Sequence, residues 1–389
     1  MISSRIKLAG ALLAVLTAAG CGSTKTPAAG PSTPISDPPA VQGPTMTGRQ
    51  VDPPLRFDPA GLPLGTDDVL LHGALAFAGT WEGVAVTRLT DGSRAGLLKP
   101  SDGPPDEGDP GYHRPVLAGA RVVTPYVVDD GGVLVVADAA TGASLGTVEI
   151  DLPPVTDPSM SRLALVGAKG DVAVVLSGIP TGADPDTVET VAVNLATGKT
   201  LWTMPGLEAH AVLGTTIVGL TGADLTSVTG VRVTDGEPLW EKRSPLPPGI
   251  DPAGPKFAVV DGLETDDMRS VVAVVDAAGK FTELAIGADI SVDTCHDDQQ
   301  GVAACTGSRA GFGLDTSTGK LLWQLPAGGE PYPYLTAAWH GTVYGQADGK
   351  PFTLDARTGE DKGAEAGMAP AAVNAYGGVV ENSFHPAIG

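Results

Sequence analysis

Three observations predict an all-β fold. Turn formers are abundant, with Gly 53 and Pro 34 in 389 residues. Short apolar runs alternate with clusters of Gly, Pro and Asp, the pattern of strands joined by turns. A phrase consisting of a strand, a turn and a Gly also recurs along the chain. Its copies are VAVTRLTDG (Gly92), VLVVADAATG (Gly142), VAVNLATG (Gly198), VRVTDG (Gly236), VAVVDAAG (Gly279), FGLDTSTG (Gly319) and FTLDARTG (Gly359). No amphipathic helical pattern is sustained past residue 21.

Successive copies lie 38 to 56 residues apart. Two more strand-like runs precede the phrase, as YLTAAW and TVYGQA precede PFTLD in the last full copy. A period near 40 to 50 built of strands and a Gly turn predicts a β-propeller of four-stranded blades. The seven copies alone give seven blades, which is the alternative. AAVNAYGGVVENS, residues 371 to 383, adds the first two strands of an eighth. A strand from Gln50 to Phe57 is expected to complete that blade, so the favoured ring has eight blades with a split closing blade. Closure removes exposed sheet edges.

The phrase has a physical logic. Asp accepts hydrogen bonds from nearby backbone N–H groups, Thr does so more weakly, and Gly supplies a positive φ. Trp202, Trp240 and Trp323 each stand four residues past the Gly. With Asp315, Thr318, Gly319 and Trp323, the full phrase resembles the tryptophan-docking repeat of the PQQ-like (quinoprotein-like) β-propellers. The resemblance implies that the Trp packs on a neighbouring blade's Gly turn. It covers residues from about 67 to 383, unevenly. Asn194 replaces Asp in the third copy, and Gly146 and Gly363 stand where Trp belongs in the second and seventh. The repeat therefore reads as a structural joint.

The N-terminus reads as an address. Arg5 and Lys7 precede a short apolar stretch from Leu8 to Gly20, too short for a membrane span of roughly 20 residues. Ala18-Ala19-Gly20-Cys21 resembles the bacterial lipoprotein signal, which implies removal of residues 1–20 and lipidation of Cys21. Ala18 stands where that signal usually has a large aliphatic residue. Residues 21–58, rich in Pro, Ser, Thr and Gly, read as a disordered tether, and 59–389 as the propeller. The expected location is extracytoplasmic, on the cell membrane through the lipid alone, as a monomer.

Net charge is −21, which disfavours nucleic acid and anionic lipid surfaces as partners. The acidic runs at 102–111, 182–187 and 264–267 lack calcium-loop spacing and read as solvated loops. Cys295 and Cys305 flank a hairpin turn at DQQG, and antiparallel neighbours lie within disulfide reach. An oxidising compartment favours that pairing. Free thiols, or a metal site with His296, are the alternatives; three close ligands are few for a metal.

Catalysis is not expected. G-x-S-x-G, H-E-x-x-H and Walker patterns are absent from the sequence. Quinone-cofactor dehydrogenases share the propeller architecture, but the adjacent Cys pair many of them carry has no counterpart here. No cofactor or metal is expected. The connections between blades are long and Pro-rich at 99–113, 151–161, 243–256 and 326–334. Tyr112, His113, Arg114, Arg162, His210, Tyr332 and Tyr334 stand where innermost strands begin and form the candidate binding face. The expected function is a non-catalytic scaffold for another envelope protein. The alternative is a small-molecule or glycan site at the central channel, with or without enzymatic activity.

Overall fold

The computed structural model describes residue 46 and residues 48–100, 113–128, 131–151, 162–178, 188–222, 224–264, 270–286, 290–308, 310–325, 333–363 and 367–388, with the backbone alone at 162 and 264. The expected signal, Cys21 and most of the expected tether lie outside these residues.

Among the described residues there is no helix, and the strands form eight antiparallel sheets. The N-terminal strand is β1 (Leu62–Pro63). The first blade is β2 (Val69–His72), β3 (Leu75–Thr80), β4 (Gly83–Arg88) and β5 (Arg94–Leu98). The second is β6 (Val116–Ala118), β7 (Arg121–Val128), β8 (Gly131–Asp138) and β9 (Ser144–Asp151). The third is β10 (Arg162–Lys169), β11 (Val172–Gly178), β12 (Val188–Asn194) and β13 (Lys199–Pro205). The fourth is β14 (Glu208–Leu213), β15 (Thr216–Thr221), β16 (Ser227–Arg232) and β17 (Pro238–Arg243). The fifth is β18 (Gly249–Pro252), β19 (Phe257–Glu264), β20 (Ser270–Asp276) and β21 (Phe281–Glu283). The sixth is β22 (Val292–Asp297), β23 (Val302–Gly307), β24 (Gly311–Asp315) and β25 (Leu321–Gln324). The seventh is β26 (Tyr334–Trp339), β27 (Thr342–Ala347) and β28 (Lys350–Asp355), with a single Leu354–Asp361 bridge in place of its fourth strand.

The eighth blade is split, in the order β1, β31 (Ser383–Pro386), β30 (Gly377–Val380), β29 (Ala372–Asn374). Two details differ from expectation. The C-terminus supplies three strands rather than two. The N-terminal partner is Leu62–Pro63, while Phe57 makes only a bridge to Ala387. Residues 51–57, expected both at the end of the tether and in the closing strand, are held against the seventh and eighth blades. The Val51 N–H donates to Ala375 O at 2.7 Å. Asp52 accepts from Trp339 Nε1 at 2.9 Å and pairs with the His340 ring at 2.6 Å. The Tyr344 hydroxyl donates to Pro54 O at 2.7 Å, and Phe57 is buried beside that ring. A Pro-rich segment stays in place here because these long-range bonds satisfy its polar groups.

The middle strands are near-continuous apolar runs such as VAVVL and VAACT, as expected for sheets covered on both faces. The core is a series of clusters lying between neighbouring blades, not one central mass. One joins Val123, Leu134 and Val136 to Leu163, Val175 and Val191 across the second and third blades. Another joins Val218 and Val228 to Val260 and Val275 across the fourth and fifth.

The recurrent phrase forms the joints. In the Asp315 copy, Oδ1 accepts from the Ser317 and Thr318 N–H groups, each at 3.0 Å, and the Gly319 N–H donates to Asp315 O at 2.8 Å. The Ser317 hydroxyl, with these N–H groups, holds the Asp315 carboxyl down at about 2. Asn194 accepts from the Ala196 and Thr197 N–H groups at 3.0 Å, so the amide serves where Asp is missing. Trp323 reaches the next blade and donates from Nε1 to Ala356 O at 2.7 Å. Its ring lies between Gly313 of its own blade and the Gly359 turn of the next. A Cβ added at either would stand 2.3 or 2.7 Å from the indole, and Gly359 also has φ +71°. Trp202 donates to Val233 O and Trp240 to Ala277 O in the same way.

Candidate functional site: the channel mouth

Antiparallel order fixes which connections share a face. Loops joining blades, and loops between the second and third strands of a blade, leave the ring on one side. The Asp–Gly turns leave on the other. The innermost strands β14, β18, β22 and β26 follow one another around the channel, and each begins on the loop-bearing side.

Arg114 stands just before β6, exposed, on the second blade. Its charge acts on Asp68 of the first blade, Asp251 of the fifth and His296 of the sixth. In an eight-bladed ring the second and sixth blades are opposite. Its charge is therefore felt on opposite sides of the channel mouth.

Asp251, on β18, is mostly removed from water, and burial pushes its carboxyl up to about 6. The Cys295 N–H, which donates to Oδ1 at 3.1 Å, pulls in the opposite direction, as do His210 and Arg114. Asp261 adds to the rise. That carboxylate is buried and accepts from the Gly249 N–H at 2.8 Å and from the Val292 N–H, joining the innermost edges of the fifth and sixth blades. His296, on β22, is pushed down to about 4 by burial, although the Leu335 backbone favours its charged form. Burial likewise raises the Asp68 carboxyl, helped by Asp67. Among the described residues the channel mouth thus gathers half-buried acids and imidazoles, with the Arg114 guanidinium acting across it.

Two imidazole atoms here have no hydrogen-bond partner among the described residues, His296 Nε2 and His210 Nε2. His210 lies 3.4 Å from Glu208 Oε1, within ion-pair distance but without hydrogen-bond geometry. Thr336 Oγ1, on β26, is also buried and unbonded. Among the described residues no three His, Cys, Asp or Glu side chains are placed to hold a metal. Cys295 and Cys305 are directly opposed on β22 and β23 and form a disulfide.

The residues expected on the binding face divide into several groups. Arg114 and His210 reach the mouth through their coupling to Asp251. Tyr334 is exposed at the start of β26. Arg162 begins β10, and only its backbone is described. Tyr112 and Tyr332 lie outside the described residues. His113 departs from expectation. It is only 6% exposed, stacks on Tyr126 with ring centroids 4.3 Å apart, and its Nδ1 meets Pro125 O at 3.1 Å. It packs the base of the loop. Asp68, Asp251 and Asp261 were not singled out from sequence, because innermost strands of different blades supply them and no spacing links them.

No protein-family model matches the sequence, and no curated protein matches it. Among solved structures, the computationally designed Ika8 protein superposes with a TM-score of 0.51 at 16% identity, over 80% of this chain and 89% of that one. BamB from Moraxella catarrhalis gives 0.47 at 16% identity, over 84% and 92%. The dihydro-heme d1 dehydrogenase NirN, in complex with DHE, gives 0.47 at 13% identity, over 77% and 64%. At these identities the similarity with Ika8 is one of fold alone.

Proposed function

We propose that the protein is an exported, lipid-anchored, non-catalytic platform whose loop-bearing face receives a positively charged surface of another envelope protein. The observation that carries this reading is charge segregation. The β5–β6 connection contains Asp102, Asp106, Glu107 and Asp109. The β9–β10 connection adds Asp157, the β11–β12 connection Asp184 and Asp186, and the β25–β26 connection Glu330. In the connections 99–115, 152–161, 179–187, 265–269, 284–291, 308–310 and 325–333 the bases are Lys99, Arg114, Arg269 and Arg309, fewer than the acids. Acidic connections whose flanking strands begin and end on one side of a ring steer a cationic partner and repel an anionic one.

The test is recovery of the cross-linked partner from intact cells. Changing Asp102, Asp106, Glu107 and Asp109 to Lys is expected to lower recovery about tenfold or more, because rim charges govern encounter. Unchanged recovery would refute the platform.

The unbonded imidazole atoms of His210 and His296 favour a second reading, a small hydroxyl-bearing ligand at the channel mouth. A ligand that raises the melting temperature should lose that effect in Arg114→Ala. A shift retained in the variant would count against this reading.

A further inference from the structure

The seams between blades are filled in different ways. Trp202, Trp240 and Trp323 cover the Gly turn of the following blade in three of them. Val86 and Leu75 fill the seat at Gly142, and Phe257 and Val274 fill the one at Gly319. At the closing seam the strand that should carry the Trp is β1, two residues long. Leu62 and Met46 stand nearest the Gly92 turn. The unfilled space is a groove of about 390 Å³ between β1 and the first blade.

The walls of the groove combine two kinds of chemistry. Leu62, Leu64 and Ala85 give an apolar floor, and Thr87 adds a hydroxyl. Trp81, in the β3–β4 turn, stands at one end with 57% of its surface exposed, the second most exposed of the large hydrophobic residues described. Glu82 and Arg94 also line the groove, and both are exposed. Neither side chain forms a hydrogen bond or ion pair among the described residues, so a carboxylate and a guanidinium are free to serve a ligand. Ala85 and Thr87 of β4 form one wall of the groove.

We propose that this groove binds a neutral glycan, with the C–H face of a sugar ring on the Trp81 indole and its hydroxyls held by Glu82 and Arg94. An exposed indole offers a large, flat apolar face at small entropic cost. A carboxylate accepts and a guanidinium donates in pairs, the complement of neighbouring hydroxyl groups. The volume suits a small-molecule site. Other ligand classes fit less well. A net charge of −21 disfavours an anion, and one carboxylate beside a guanidinium makes a poor cation site. An extended peptide would need main-chain donors along β1, and Pro63 has no N–H. The groove lies at the outer edge of the ring, so it stands or falls independently of the channel mouth and the acidic loops.

The test is isothermal titration of the purified protein with chitotetraose, maltotetraose, mannotetraose and galactotetraose, with indole fluorescence followed in parallel. At least one sugar is expected to bind saturably and change the fluorescence. Trp81→Ala should weaken that binding at least tenfold, and Glu82→Gln with Arg94→Ala should weaken it with no shift in the unfolding midpoint. Binding of none of the four, or binding that survives Trp81→Ala, overturns the proposal. So does an extended peptide that binds here and is lost in the same variants.

Discussion

Replacing Trp323 with Ala should destabilise the protein by about 3–5 kcal/mol, the range for deleting a large buried aromatic group. Trp323 is 8% exposed and joins Val302 and Ala304 of its own blade to Leu335, Val343 and Leu354 of the next. Its Nε1–H bond to Ala356 O is lost as well, which leaves a buried carbonyl short of a partner. The cavity cannot close easily, because Gly313 and Gly359 have no side chains to fall into it. Trp202 and Trp240 make the same link but are half-exposed, so their Ala variants should cost distinctly less. Urea unfolding of the three variants measures the order. Equal losses, or a Trp323→Ala loss under about 1 kcal/mol, would mean the joint is not what holds the blades together.

The second large effect concerns pH. Asp251 titrates at about 6 in the folded protein and near 3.8 when unfolded. The unfolded chain therefore ionises first, and folding stability falls as pH rises from about 4 to about 6. A shift of this size corresponds to at most about 3 kcal/mol. His296 has the opposite sign. Its folded value is about 4 against 6.5 unfolded, so the unfolded chain binds the proton first and stability rises with pH between about 4 and 6.5. The two slopes nearly cancel across this window. Asp251→Asn should remove one of them. Its Oδ1 can still accept from the Cys295 N–H, so the variant should be more stable than the parent at pH 7.5 and no more stable at pH 4. His296→Gln should gain at pH 4 and not at pH 7.5. Parallel pH profiles for parent and variants would show that the burial of these groups is not what sets their titration.

The parts of this fold legible in the sequence are those written locally and repeatedly. An Asp, a Gly four residues on and a Trp four further on identify a turn and its docking partner wherever they occur, because the turn closes on its own backbone. Closure of the ring was legible in part, through the two strands read in residues 371–383. Leu62–Pro63 is too short to show alternation and is a strand only because β31 lies beside it. Ser383–Pro386, ending in Pro, likewise carries no strand signature. The binding face was half legible. Tyr112-His113-Arg114 places three attractive side chains in a row, yet His113 turns into the loop base against Tyr126 while Arg114 reaches the channel. Asp251 and His296 belong to neighbouring innermost strands 45 residues apart in sequence, a separation that no motif describes. The groove beside Trp81 is lined by residues of β1, the β3–β4 turn and the first blade's outer strands, and no spacing in the sequence links them.

The most direct test of the acidic platform is site-resolved photo-crosslinking in intact cells. A photoreactive residue would replace Tyr334 or Leu246, both exposed at the loop-bearing face. It would replace Thr141 or Thr358 in the Asp–Gly turns on the opposite face. The account predicts one basic protein captured from the first pair of positions and not from the second, with capture falling as salt is raised. Capture of the same protein from the turn positions alone, or of no protein from any of the four, would contradict it.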